Sequence, residues 1–109
     1  MERRQEMQFD VFVNPIAAAR RHYPYVVVLQ SDFVDGGRDQ IVAPLAPRKS
    51  LAAIAGRITP IVVVESAEHV VLVPALAGVR RSDLEVRVAS LAAARTEVLA
   101  AIDLLFFGV

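Results

Sequence analysis

The chain changes character at residue 90. Before it, apolar residues come in short β-branched runs broken by glycine, proline and small polar residues; after it, "SLAAARTEVLAAIDLLFF" (90 to 107) is built of alanines, leucines and other helix formers. That switch calls for several short strands followed by a single helix. "QFDVFV" (8 to 13) puts Phe9, Val11 and Val13 on one side of a half-buried strand. "YVVVLQS" (25 to 31) is nearly continuous in β-branched residues, which predicts a central strand covered on both faces. Two glycines in "VDGGRDQ" (34 to 40) supply a turn, and "QIVAPL" (40 to 45) returns as the second strand of a hairpin. Pro44 lacks an amide donor and belongs at an edge or a strand end.

After Pro60, "IVVVES" and "HVVLVPAL" form a second hairpin with "AE" between them, and "SDLEVRV" (82 to 88) is a further short strand. "NPIAAARRHYP" (14 to 24) opens on a turn signal, closes on proline and reads as a loop. "RKSLAAIAGRI" (48 to 58) is a short helix or an irregular crossover, weakened by Gly56. The fold class is therefore β-rich, mainly antiparallel, finished by one C-terminal α-helix with Ser90 as its N-cap.

A chain of 109 residues has room for one domain. Its hydrophobic fraction of 55% exceeds the roughly 45 to 50% of ordinary soluble domains, and some of that surplus is expected to meet another chain. The longest apolar runs are broken by polar residues well short of a membrane span, and "MERRQEMQF" has no apolar stretch behind its charges, so it does not read as a secretory signal. With no cysteine, disulfides and thiolate metal sites are excluded, and a cytoplasmic location fits. Twelve basic and twelve acidic residues cancel, so the charge excess of a nucleic-acid binder is missing, although Arg20, Arg21 and His22 sit together. Two histidines without ligand spacing make no metal site, "DGG" lacks the spacing and lysine of a phosphate loop, and no cofactor is implied.

Laid out at about 100° per residue around Ile102, the last helix carries Leu91, Val98 and Phe106 within about 40° and Leu99 and Leu105 at about 60°. Phe107 falls about 140° away, beside Ala93, Thr96, Ala100 and Asp103. Either it covers a second patch of its own subunit or a symmetry mate, or it is an anchor for a partner, a role in which aromatic residues are enriched. Gly108, free to take positive φ, stops the helix and turns the chain end.

Three stretches together resemble the CcdB family of bacterial toxins from toxin-antitoxin modules: "MQF" at Met7 to Phe9, "VVVLQSDFVDGGRDQIVAPLA" (26 to 46), and the ending "AAIDLLFFGV" (100 to 109). The resemblance covers nearly the whole chain. It implies a single toxin domain over 7 to 109, an SH3-like barrel related to the CcdB/PemK fold, behind a disordered extension of residues 1 to 6. It also implies a homodimer that is not an enzyme but binds the A-subunit of DNA gyrase and traps the cleaved gyrase-DNA complex, held in check by a cognate CcdA-like antitoxin. The binding residues carried over are Phe107, Gly108 and Val109, with Gln8, Phe9, Ser31 and Asp103 as further candidates. The family's well-known poisons have tryptophan where this chain has Phe107, whose ring is smaller and has no indole donor.

Two other readings stand beside this one. An endoribonuclease of the same fold group needs a base, an acid and a cation within mutual reach, and Asp35, Arg38, His22 and His69 are the pool from which they would come. An inactive homologue would keep the dimer and the antitoxin contact without poisoning gyrase.

Overall fold

The computed structural model describes residues 7–34, 37–50 and 56–108. Asp35, Val109, the segment 1–6 and the central part of the 48–58 stretch lie outside the described residues. Among the described residues seven strands run in the order of the chain: β1 (Asp10–Val13), β2 (Tyr25–Val28), β3 (Asp39–Pro47), β4 (Ile61–Val64), β5 (Ala67–Val71), β6 (Ala77–Arg80) and β7 (Arg87–Ser90). One helix, α1 (Arg95–Phe107), follows. All pairings are antiparallel, and the sheet follows the path β4-β5-β3-β2-β1-β7 with β6 alongside β3. Because that path ends on two edges, the sheet curls into an open half-barrel.

β3 organises it. β2 lies along one side, while the other side is shared by β6, which pairs Asp39 to Val42, and β5, which pairs Leu45 to Pro47. Pro44 is thus neither at an edge nor at a strand end. It occupies the gap where β6 has finished and β5 has not begun, its carbonyl accepts the Leu72 amide at 2.9 Å, and its missing N–H leaves no ladder bond unmade.

The β-branched run at 25 to 29 is covered on both faces, as its composition requires. Val27 and Leu29 enter the main core with Phe9, Val11, Leu45, Val64, Val71 and the buried side of α1. Val26 and Val28 face a second, smaller cluster with Phe12, Val42 and Leu84. Phe12, placed by strict alternation on the open side of β1, is therefore buried as well.

Local geometry departs from the sequence reading in five places. The β4–β5 hairpin turns at Glu65 and Ser66, both with positive φ, and Ala67 and Glu68 belong to β5. β6 has no counterpart in the sequence reading, because "AGVR" carries a single strand former and turns only Val79 inward. The strand expected over 82 to 88 begins later: Arg81–Asp83 makes a 3₁₀ turn and β7 pairs with β1 through a bulge at Val88. Ser90 ends β7, and its hydroxyl accepts the Ala92 amide at 3.2 Å at the start of a 3₁₀ turn (Ala92–Ala94), while the N-cap position of α1 falls on Ala94 and not on Ser90. The buried side of α1 centres on Val98 and Ala101 rather than Ile102, since alanine lets the helix sit closest to the sheet, and Phe106 is left 59% exposed.

Candidate functional site

α1 packs its buried side against the main core and stops at Phe107. Val98 and Ala101 fix its orientation by their complete burial, and in its last turn Leu105 still packs against the main core while Phe106 and Phe107 stand in solvent. Phe107 is 74% exposed, and Asp103, four residues back on the same face, is exposed beside it. Gly108 takes φ +73° and gives its amide to the Leu104 carbonyl at 3.1 Å, a left-handed cap that ends the helix and redirects the chain. Asp103, Phe107 and Gly108 are thus brought together on one terminal turn.

Gln8, Phe9 and Ser31 form a different group. Asp32 Oδ1 accepts the Met7 amide at 2.8 Å and the Gln8 amide at 3.0 Å, and Gln8 Nε2 donates to the Leu29 carbonyl at 3.1 Å. The Asp10 amide reaches back to the Met7 carbonyl, closing a turn in which Phe9 sits at φ +69°. That conformation is unusual for a bulky side chain and costs about 1–3 kcal/mol. Two main-chain bonds hold it, from the Phe9 amide to Val28 and from the Leu91 amide to Phe9, both 2.7 Å, while the ring is buried in the main core. Ser31 Oγ accepts the Phe33 amide at 3.1 Å and shapes the start of the β2–β3 loop.

The two groups are anchored at opposite ends of the helical segment. Phe9 is bonded to Leu91 where the segment begins, and Phe107 closes it about 20 Å further along α1. Within one subunit the structure therefore places two patches. Gln8 also borders a groove of about 600 Å³ whose floor includes Phe12 and Leu84 and whose wall holds an ion pair from Arg87 Nε to Asp10 at 3.2 Å.

The sequence reading passed over Phe33. It stands 97% exposed at the tip of the loop that Ser31 starts, with Val34 half in solvent beside it and the Gln30 side chain bridging Val34 and Ile41 beneath. The signal was present: an aromatic residue directly before a glycine-rich turn has no strand face to enter. Of the pool for ribonuclease chemistry, Asp35 lies outside the described residues, and His22, Arg38 and His69 stand on separate elements. His69 is buried on β5, its Nδ1 within 2.9 Å of the Ala67 carbonyl and its ring edge-on to Tyr25, which is a structural role. His22 lies on an exposed loop against Tyr23, and the Arg38 carbonyl accepts the Arg81 amide. No helix among the described residues is long and apolar enough to cross a membrane.

These elements define a β-rich domain: a small antiparallel half-barrel followed by a terminal helix whose aromatic end stands in solvent. The family described as CcdB protein matches residues 8–108, and the chain belongs to that family, the toxins of toxin-antitoxin systems. Comparison with curated proteins gave no match.

Proposed function

We propose that the chain acts as a homodimer that binds the A-subunit of DNA gyrase and holds the enzyme on cleaved DNA, with Phe107 as the inserted ring. The observation that carries this reading is the terminal turn itself: a large aromatic side chain three-quarters in solvent, on a helix whose other face is locked by Val98 and Ala101, with Gly108 setting the direction of the chain end. An aromatic group held rigidly in water gains its full burial only against a partner, which is the profile of a binding hot spot. Phe107 offers apolar area and a π face but no indole donor, so its contact depends on packing alone. Val109 completes the terminal triad, and Gln8 and Ser31 support contact from the second patch, with Phe33 as its exposed anchor. Phe9 contributes through the turn it holds.

The test is a cleavage assay with supercoiled plasmid, ATP and gyrase from the source organism, comparing the full chain with a deletion of residues 107 to 109. Linear DNA with the full chain only is the expected result. Linear DNA from both removes the terminal triad from the mechanism, and none from either favours the inactive-homologue or the ribonuclease reading in its place.

A further inference from the structure

The loop between β1 and β2 is built far more tightly than its alanine-rich sequence suggests. Asn14, buried, makes four bonds that close it: its amide donates to the Pro24 carbonyl (3.0 Å), its Nδ2 to the Tyr23 carbonyl (2.8 Å), its Oδ1 accepts the Ile16 amide (2.9 Å), and its carbonyl accepts Arg20 Nε (2.6 Å). A 3₁₀ turn over Ala17–Ala19 and bonds from the His22 and Tyr23 amides to the Ala19 carbonyl complete the frame. The loop's conformation is set in advance, which reduces the ordering cost of any contact made through it.

This frame presents Arg20, Arg21 and His22 to solvent, and between Asp10 and Asp32 the sequence holds no acidic residue. Among the described residues Arg21 and His22 have no ion pair. Beside them runs a groove of about 180 Å³ bounded by Val13, Pro15 and Val86 on its apolar side, by Arg20, and by Asp83 and Glu85. Val86 is more than half exposed there, and Ile16 is equally exposed on the loop.

We infer that the Asn14–Pro24 loop and this groove form a docking surface for an acidic, partly apolar extended segment of the antitoxin, whose carboxylates meet Arg21 and His22 while an apolar side chain covers Val86. The inference rests on the toxin reading above and assigns a partner surface separate from the terminal helix. A nucleic-acid backbone fits less well. Two arginines and a histidine on a chain of zero net charge release few counterions, and a backbone with a phosphate at every step cannot avoid Asp83 and Glu85 on the groove wall, whereas a peptide can keep its carboxylates at the loop and lay only its apolar part in the groove. A flexible antitoxin segment that orders on the toxin pays a conformational cost, which a preformed loop with steering charges helps to offset.

The experiment measures binding of the antitoxin encoded beside this chain, and of a short DNA duplex, to the full-length toxin and to two variants. Arg21→Glu with His22→Glu should weaken antitoxin binding at least about tenfold at low salt, with a gap that narrows as salt screens the pair. Val86→Ser should weaken it several-fold with little salt dependence. Both variants should keep the wild-type thermal midpoint and gyrase-dependent cleavage, since neither residue lies in the terminal triad or the core. Unchanged antitoxin affinity in the folded double variant overturns the inference, as does a loss confined to the DNA duplex. A wild-type chain that neither binds the antitoxin nor linearises plasmid overturns the toxin reading itself, and the wild-type control separates that failure from the first.

Discussion

Gly108 ties the proposed function to the backbone conformation of one residue. At φ +73° it lies where a side chain with a Cβ costs about 1–2 kcal/mol, yet a Cβ built there meets nothing within 4 Å, so the constraint is conformational and not steric. Gly108→Val should therefore leave the thermal midpoint nearly unchanged, because the terminal turn contributes little to the core, while it redirects the chain end and lowers gyrase cleavage. Gly108→Asn, which tolerates the left-handed region, should retain most of the activity. Equal activity in all three would show that the direction of the terminus is immaterial. Phe9 sits in the same region of φ under the opposite circumstances: its strain is held by two short main-chain bonds and a buried ring, and so belongs to the folding of the N-terminal turn.

Among the elements, the β4–β5 hairpin is the one whose sequence is least suited to its shape. Two central residues with positive φ make a turn of the type that matches strand twist, and Asn-Gly is the sequence it prefers; here it is built from Glu65 and Ser66. Glu65→Asn with Ser66→Gly should raise stability by about 1 kcal/mol, read as a higher urea midpoint at unchanged slope. A lower midpoint would mean that the pair makes compensating contacts. This hairpin also marks the limit of what the sequence reveals. Runs such as "YVVVL" and the helix formers after Ser90 announce their elements because composition and burial agree there, and "FFGV" announces an exposed end because Phe107 falls off the apolar stripe. β6 and the exact turn residues are hidden because they are determined by pairing with β3, a partner dozens of residues away whose register no local pattern records. Pro44 escapes a local reading for the same reason: its tolerance depends on the gap between two other strands. The terminal half of the candidate site is legible, whereas Phe33 and the Asn14 frame need the chain to be folded.

At the scale of the whole molecule, the last helical turn offers more apolar surface than one partner can cover. Phe106 and Phe107 are adjacent, hence about 100° apart around the helix, and both are mostly in solvent although the main core is complete beneath Val98 and Ala101. A single flat contact cannot bury rings that diverge by that angle. On the proposed function Phe107 meets gyrase, and the same proposal gives Phe106 to a second copy of the chain, where a two-fold axis would set two Phe107 rings side by side for one target. Phe106→Glu should then give a folded monomer: circular dichroism like that of the wild type, a sedimenting mass of one chain rather than two at micromolar concentration, and weakened gyrase cleavage because the paired presentation is lost. Phe107→Ala should do the reverse, leaving the mass of two chains and removing the cleavage. If Phe106→Glu remains a dimer that still poisons gyrase, the two rings do not divide the work in this way, and the dimer contact must be sought on another exposed apolar face, of which Ile61 and Val63 on the edge strand β4 are the next candidates.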